Sequence, residues 1–248
     1  MHGIGGVPLA SLGGGALKTY ADKVLGYLPA AYWPLWETSG ITARCLVSSS
    51  QNGTYNTDVS LWPPGTGIGD GNTAPFFDGT NDYVSLFAAA IQAAANTATT
   101  EGSVSVWYRV ANVGVWTDGT YRSVYSAIDD PSNRYIWYKS GVNNNIYVLH
   151  DAGGTAENHT QAGQTATTWQ HGCWTWSESA DEVKYYLNGT LLATDTVIGN
   201  WTGDGNWTSI IIGANSFVPA NVFHGWIAHA ALFSRAIPQP TVSALATV

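Results

Sequence analysis

WQHGCWTWSESADEVKYYLNGTLLA, residues 169–193, is the stretch that decides the fold class. Its second half alternates apolar with polar or aromatic side chains and then reaches the pair Asn188 and Gly189. An Asn-Gly pair between two β-rich runs is the strongest local signal for a hairpin, because both residues tolerate the positive φ of a type I′ turn. The run at 172–177, which has two tryptophans, predicts a further strand before the hairpin. The stretch therefore predicts an antiparallel meander.

The remainder of the chain repeats this pattern. Apolar or alternating runs between turn signals are the predicted strands, at 31–35, 103–110, 122–128, 134–140, 145–151, 210–212 and 223–233. Many short strands with turn signals about every 8–12 residues indicate a sandwich or barrel. One internal stretch, FAAAIQAAANTA at 87–98, could form a short helix, since Ala and Gln favour helices. The pattern predicts an all-β, two-sheet antiparallel β-sandwich.

The residues before the first strand differ from the rest. Residues 1–15 are rich in Gly and read as an arm, whereas 16–28 predict a helix that ends at Pro29. Four apolar residues of this helix fall at helical spacing: Leu17, Tyr20, Val24 and Leu28. We divide the chain into an N-terminal arm and helix, 1–28, and a sandwich, 29–248. Two interpretations of the helix stay open: packing on its own sandwich, or docking on a partner subunit, for which those four residues would be assembly contacts.

Composition and charge exclude several function classes. The 248-residue chain has a net charge of −8 and only nine Lys and Arg, so it lacks the basic clusters with which nucleic-acid-binding proteins neutralise phosphates. No apolar run reaches the ~18 residues of a membrane-spanning helix, and the first residues do not read as a secretory signal. Charged residues make up 10% of the chain, while Trp occurs 12 times. Such neutral, aromatic surfaces suit a protein that neighbours cover or that binds neutral polymers such as glycans.

A series of sequence phrases carries a family resemblance. In chain order they are AYWPLWETSG (31–40), NGTY (52–55), FFDGTNDYV (76–84), EGSVSVWYRV (101–110), VKYYLNGTLL (183–192) and HGWIAHAALFSRAI (224–237). Together they resemble the laminin-G-like, concanavalin A-like jelly roll, in the form common in bacterial and phage proteins, over about residues 30–240. The resemblance implies a lectin-like jelly-roll sandwich. The phrase KTYADKVLGYLPAAYWPLWETSG, at 18–40, is similar to openings of tailed-phage virion proteins that carry this domain.

The chain departs from this family where calcium-binding members carry acidic residues. The early position corresponds here to Cys45, and the pair in the closing strand corresponds to Ala228 and His229. Because calcium prefers several hard oxygen ligands, these departures argue against the usual calcium site, and we predict no metal and no other cofactor. Asp78 and Asp82 could still supply oxygens, but they read more simply as turn-forming residues.

The acidic residues do not form the pattern of a glycoside hydrolase. Hydrolysis needs two carboxyl groups, which related jelly-roll hydrolases carry on one strand as Glu-x-Asp-x-x-Glu, and none of the five glutamates stands in that pattern. The nearest cluster, from Glu178 to Glu182, reads as a solvated turn. His171 and Cys173 could form a thiol–imidazole pair, but core residues are the simpler interpretation. We therefore predict that the protein is not an enzyme and that Cys45 and Cys173 are unpaired thiols.

Three tryptophans and two asparagines are the candidate ligand-binding residues. Trp116, Trp201 and Trp207 lie in or beside polar, Gly-rich loops, where a solvent-facing indole could stack on a sugar ring. Asn143 and Asn144 belong to an amide-rich loop that could hydrogen-bond hydroxyl groups. The alternative for the tryptophans is that they cap the open ends of the sandwich or fill contacts between subunits.

The first functional hypothesis is a non-enzymatic phage virion protein, such as a decoration, minor capsid or tail-associated protein. It would be made in the host cytoplasm, leave by assembly and lysis, and present its sandwich to surface glycans. Its partners would be other virion subunits or further copies of itself, with no nucleic acid and no membrane. The alternatives are a free carbohydrate-binding or adhesion module outside cells and, less favoured, a glycan-degrading enzyme.

Overall fold

A computed structural model describes residues 19–56, 59–216 and 220–248, with the backbone alone at 62–65. The strands, in chain order, are β1 (Ala31–Trp33), β2 (Thr42–Ala43), β3 (Gly53–Tyr55), β4 (Ser60–Thr66), β5 (Thr73–Asp78), β6 (Val84–Ser85), β7 (Glu101–Val110), β8 (Arg122–Asp130), β9 (Asn133–Lys139), β10 (Ile146–Ala152), β11 (Thr155–Gln161), β12 (Gln170–Ser177), β13 (Glu182–Leu187), β14 (Thr190–Thr196), β15 (Ser209–Ile212) and β16 (His224–Phe233). The α-helices of the described ranges are α1 (Tyr20–Gly26), α2 (Ala89–Asn96) and α3 (Gln239–Leu245). Two 3-10 helices span Ser49–Gln51 and Val113–Thr117.

The strands form two antiparallel sheets that pack face to face. The first sheet has the order β14-β13-β12-β7-β16-β5-β4, and β1 pairs with β16. The second sheet has the order β11-β10-β9-β8-β15-β6-β3-β2. The predicted all-β, two-sheet antiparallel sandwich is confirmed, and the predicted internal helix at 87–98 corresponds to α2.

The predicted meander is the set β12, β13 and β14 at one edge of the first sheet. Asn188 has a φ of 50° and Gly189 a φ of 77°, the left-handed pair that the hairpin turn requires. The Asn188 side chain also accepts a hydrogen bond from the backbone N–H of His171 at 2.8 Å, which ties the turn to β12. A Cβ on Gly189 would lie 3.1 Å from Cα of Ser243 in α3, so the close approach of that helix is a second reason for glycine here.

Aromatic side chains fill the core between the sheets. Trp137 of the second sheet packs on Trp174 of the first with ring centroids 5.5 Å apart, and Tyr135 packs on Trp176 at 4.8 Å. All four side chains are buried. Because side chains of a strand point alternately to its two faces, the residues between these core positions lie on the outer faces of the sandwich.

Helices α1 and α3 cover part of the outer face of the first sheet. Tyr20 and Val24 of α1 are buried there. The Tyr20 hydroxyl donates to the Leu245 carbonyl of α3 at 2.6 Å and accepts from the Trp107 indole of β7 at 2.8 Å. The helix thus packs on its own sandwich. The predicted assembly role is wrong for Tyr20 and Val24, because the chain itself covers both side chains.

The other two predicted assembly residues have different outcomes. Leu28 follows α1, which ends at Gly26, and its side chain is 76% exposed. Its assembly role therefore stays a prediction. Leu17 lies outside the described residues. None of the helices in the described ranges is both long and apolar enough to span a membrane.

Candidate functional site

The outer face of the second sheet carries an open groove of about 390 Å³. Its floor is formed by outward-facing residues of β8, β9, β10 and β11. Asn215 and Asn221, from the segment between β15 and β16, also line it. The groove is thus built on paired strands, which hold its floor residues in fixed register.

Three tyrosines form a row at this groove, of which Tyr121 and Tyr138 line it and Tyr147 lies next to Tyr138 at its margin. Tyr138 of β9 pairs across the sheet with Tyr147 of β10, and their rings stack with centroids 5.4 Å apart and planes 12° apart. Tyr121, just before β8, continues the row, with its centroid 6.0 Å from that of Tyr138. Tyr121 is 43% exposed, and the other two rings are half-buried. Such a row presents flat apolar surface with hydroxyl groups at its edge.

An apolar strip lies beside the tyrosine row. Ile136 and Leu149 are cross-strand neighbours, and each is only 7% exposed. Asn158 of β11 pairs with Leu149 and extends the strip with an amide. The floor therefore changes from aromatic to aliphatic to amide over neighbouring positions of the sheet.

A charged pair and an amide supply hydrogen-bonding groups at the same face. Arg134 of β9 lies 3.3 Å from Asp151 of β10, measured from Nε to Oδ2, and the Asp151 side chain is 6% exposed. Oδ1 of Asp151 and Oδ1 of Asn215 are buried acceptors that receive no hydrogen bond from the residues the structure describes. Both oxygen atoms retain the capacity to accept a hydrogen bond.

The surroundings of the tyrosines set their protonation. Burial raises the pKa of Tyr138, and the neighbouring Tyr121 and Tyr147 raise it further. The phenol therefore stays protonated at neutral pH and can donate a hydrogen bond. Hydrogen bonds from the side chains of Asn143 and Asn145 lower the pKa of Tyr147.

The predicted asparagines have separate roles. Asn143 is exposed and lies within hydrogen-bonding reach of Tyr147, so it extends the tyrosine row. Asn144 instead fastens its loop, because its side chain donates to the Gln164 carbonyl at 3.1 Å and its carbonyl accepts from the Gln164 N–H at 2.8 Å. The structure thus brings Asn143, rather than Asn144, to Tyr147.

The predicted tryptophans belong to the interior. Trp116 and Trp207 are each 2% exposed, and their indole N–H groups donate to the Ala166 carbonyl and to Asn96 respectively. Trp201 is half-buried and packs on Trp207 with centroids 5.4 Å apart. The prediction of solvent-facing indoles is therefore wrong for Trp116 and Trp207. Both indoles belong to the buried core between the sheets, and Trp201 packs against that core.

The thiol–imidazole pair at His171 and Cys173 also lies in the interior. Both side chains are fully buried, and the His171 ring pairs with the Ser105 hydroxyl at 2.8 Å rather than with the thiol. Burial lowers the pKa of His171 to about 3 and raises the pKa of Cys173, so the thiol stays protonated. Cys45 and Cys173 are both free, as predicted.

A second buried histidine joins a network that sequence reasoning missed. His229 lies in a β-bulge of β16 with a φ of 53°. Its Nδ1 is 2.7 Å from the Tyr32 hydroxyl, and its Nε2 is 3.1 Å from Oδ2 of Asp70. The side chains of His229 and Asp70 are each 1% exposed. Tyr32, His229 and Asp70 are connected like the residues of a catalytic relay, but their burial leaves no room for a substrate. Their contacts instead hold the loop that carries Asp70 in place.

Asp78 and Asp82 take part in the turn between β5 and β6. Oδ1 of Asp78 accepts from the Thr80 N–H at 2.7 Å, and Oδ2 of Asp82 accepts from the Asp78 N–H at 2.7 Å. The interpretation of Asp78 as a turn-forming residue is therefore confirmed. The described part of the chain contains no group of three His, Cys, Asp or Glu side chains placed to hold a metal ion.

Comparison with known families gives one match that covers most of the chain. The sequence model described as the concanavalin A-like lectin/glucanases superfamily, of the laminin G type, matches residues 78–243. A comparison with curated protein sequences finds no match.

Several solved structures share the fold. Domain 4 of AbnA, a GH43 extracellular arabinanase from Geobacillus stearothermophilus in complex with arabinotriose, superposes with a TM-score of 0.63 at 16% identity, covering 88% of this chain and 98% of that one. The binding domain of botulinum neurotoxin serotype D gives a TM-score of 0.60 at 14% identity, covering 87% of this chain and 50% of that one. Ruminococcus gnavus IT-sialidase CBM40, bound to α2,3-sialyllactose, gives a TM-score of 0.52 at 14% identity, covering 67% of this chain and 93% of that one.

Proposed function

Because the chain belongs to the concanavalin A-like lectin/glucanases superfamily, we propose that it is a glycan-binding protein and that the groove of the second sheet is its binding site. The observation that carries this proposal is the row of Tyr121, Tyr138 and Tyr147, with centroid spacings of 6.0 Å and 5.4 Å, whose first two members line an open groove. The parts of these rings that are not covered by their neighbours can pack against the C–H groups of sugar rings. The hydroxyl groups of the same sugars would meet the polar groups beside the row.

Similar structures support this proposal. The AbnA domain was solved with arabinotriose and the CBM40 domain with sialyllactose, so two sandwiches of this shape hold sugars. Because these structures have low sequence identity to this chain, the class of sugar has to be inferred from the side chains of the groove. Among the described residues that line the groove, Arg134 carries a charge, which the adjacent Asp151 balances, and the others are neutral. This composition favours a neutral glycan.

The same groove supports a non-catalytic role. Glycoside hydrolysis needs two carboxyl groups on opposite sides of the scissile bond. The described residues that line the groove include no Asp or Glu, and the adjacent Asp151 is already paired with Arg134. The groove therefore offers hydrogen-bonding and stacking groups without an acid and a base.

A glycan array tests this function. The full chain should bind a restricted set of neutral glycans, and Tyr138→Ala should abolish or strongly weaken those signals because Tyr138 lines the groove at the centre of the tyrosine row. Tyr27→Ala is the control, since Tyr27 is also half-buried but packs on the outer face of the first sheet. Array signals that are unchanged in Tyr138→Ala would show that the groove is not the binding site.

We further propose that the protein is a virion component. Support comes from the phrase at 18–40, which is similar to openings of tailed-phage virion proteins, and from the low charged fraction of 10%, which suits a surface covered by neighbours. Leu28, 76% exposed beside α1, is a candidate contact with another subunit. The competing hypothesis, a free adhesion module, predicts the same groove without a particle.

Particle analysis separates these two hypotheses. Particles purified from a lysed host culture should contain the chain as a stoichiometric component by mass spectrometry after gradient centrifugation. Leu28→Asp should reduce its incorporation while leaving its thermal unfolding unchanged. Recovery of the chain only in the soluble fraction would favour the free module.

A further inference from the structure

The outer face of the first sheet carries a second aromatic row, beyond the edge of α1. Phe76 of β5 pairs with Trp226 of β16, and Trp226 pairs with Arg109 of β7. The Phe76 and Trp226 rings lie 4.8 Å apart, and the Arg109 guanidinium lies 4.0 Å from the centroid of Trp226. On its other side, the guanidinium lies 5.5 Å from the ring of Trp169. All four side chains are half-buried.

Arg109 has no hydrogen-bond acceptor in the described part of the chain. It makes no salt bridge there, and its buried Nε has no partner. By contrast, Arg122 lies 2.6 Å from Asp118, and Arg134 lies 3.3 Å from Asp151. A guanidinium has five hydrogen-bond donors, and this chain has eight more acidic than basic groups, so an arginine without an acidic partner is unusual here. Arg109, held between two indoles, therefore has donors available for an acceptor on a ligand.

The space beside Arg109 can hold such a ligand. A groove of about 490 Å³ is lined by Arg109 and Trp226 together with Ala111, Asn112 and Thr167. No Asp or Glu is among its described lining residues. Burial lowers the pKa of Arg109, but it stays far above neutrality, so the guanidinium remains charged. The groove therefore combines one fixed positive charge with an indole face and small polar side chains.

We propose that this groove is a second glycan site, one that binds a sugar residue carrying a carboxylate. The guanidinium of Arg109 forms a bidentate pair with the carboxylate, while the part of Trp226 that lines the groove contacts the sugar ring. The indoles of Trp169 and Trp226 hold the guanidinium in place before binding, which reduces the entropy lost on complex formation. This site lies on the opposite outer face from the tyrosine groove, so both can be occupied together.

The test compares a short oligogalacturonate with its methyl ester, which has the same rings without the charge. Titration calorimetry of the full chain should show binding of the acid and at least about tenfold weaker binding of the ester. Arg109→Gln should weaken binding of the acid at least about tenfold, whereas Arg44→Gln, which removes the same charge from an exposed arginine, should leave it unchanged. Thermal unfolding of each variant establishes that it folds.

Each other outcome contradicts the proposal. Equal affinity for the acid and its ester would overturn the carboxylate as the recognised group. Equal weakening by Arg109→Gln and Arg44→Gln would indicate attraction by overall charge. Loss of oligogalacturonate binding in Tyr138→Ala but not in Arg109→Gln would place that binding in the tyrosine groove. Competition by polyglutamate as strong as that by the oligogalacturonate would mean that the site recognises acidic peptides rather than sugars. Neutral-glycan binding in Arg109→Gln reports on the tyrosine groove separately, so the two proposals can fail independently.

Discussion

Asp70 fastens the segment between β4 and β5 onto the first sheet. Its Oδ2 atom lies 3.1 Å from Nε2 of His229 and 2.6 Å from the side-chain nitrogen of Asn72. Burial raises its pKa, but the hydrogen bonds from His229 and Asn72 outweigh burial and hold the pKa at about 2. An unfolded chain has an Asp pKa of about 3.9. The ionised carboxylate therefore stabilises the fold above that pH, and this contribution is lost as the pH falls toward 2.

Asp70→Asn should lower the free energy of unfolding by about 2 kcal/mol at neutral pH. The difference in unfolding free energy between the two proteins should shrink as the pH falls from about 4 to about 2, because the wild-type carboxylate then becomes protonated and loses its charge. Urea unfolding of both proteins across this range measures the difference. A difference that does not change with pH would mean that the charge of Asp70 is not what stabilises the segment.

His150 also makes stability fall as the pH falls, but in a higher pH window and through burial rather than hydrogen bonding. Its side chain is fully buried on β10, and neither ring nitrogen has a partner among the described residues. Burial lowers its pKa to about 4, whereas an unfolded histidine has a pKa of about 6.5. Between these values the unfolded chain binds a proton that the folded chain does not. Stability should therefore fall by about 3 kcal/mol as the pH drops through this window.

His150→Leu removes this titration while keeping an apolar side chain of similar size. The variant should lose less stability than the wild type between about pH 6.5 and pH 4, as measured by urea unfolding at each pH. His171, buried with a pKa of about 3, still contributes to the fall in both proteins. Parallel pH profiles for the two proteins would contradict the role given to His150.

At the residue level, the sequence identifies aromatic residues better than it identifies which way they face. Trp116 and Trp207 lie beside polar, Gly-rich stretches, yet long-range packing buries them. The sequence predicts that Tyr138 and Tyr147 lie in strands. That both face outward on the same side of the sheet follows only from the register of β9 against β10. Side-chain alternation within one run cannot say which of its two faces meets the other sheet.

Helix α1 stabilises the sandwich by covering the outer face of the first sheet. Tyr20 is 3% exposed and bridges β7 and α3 through its hydroxyl group, whereas Leu28 is 76% exposed. Tyr20→Ala should therefore cost about 3–5 kcal/mol of unfolding free energy, and Leu28→Ala should change it by less than about 0.5 kcal/mol. Chemical denaturation of the two variants provides the comparison. Similar costs for both would contradict the packing of α1 on its own sheet.

The elements differ in how far local sequence determines them. The β13–β14 hairpin could be predicted because Asn188 and Gly189 supply the required backbone conformation themselves. Helix α1 could be predicted from its spacing, although it spans Tyr20–Gly26 rather than the predicted 16–28. Its docking surface could not be predicted, since the partner residues Trp107 and Leu245 are distant in sequence. An amphipathic helix has an apolar side whether it meets its own sheet or another subunit.

At the scale of the whole molecule, the two outer faces are used differently. Helices α1 and α3 cover part of the first sheet and leave the row around Arg109 at its margin. The second sheet presents its tyrosines in an open groove. The family resemblance predicted the sandwich but not these surfaces, because the side chains that determine a ligand vary independently of the core that determines the fold.

The central claim is that the tyrosine groove binds glycans, and one dissociation constant tests it directly. For the neutral glycan that the array selects, titration calorimetry of the wild type, Tyr138→Ala and Tyr27→Ala compares the same chemical change at two half-buried tyrosines on opposite faces. We expect Tyr138→Ala to weaken binding at least about tenfold, equivalent to about 1.4 kcal/mol, and Tyr27→Ala to leave it unchanged. Unchanged affinity in Tyr138→Ala would contradict the account.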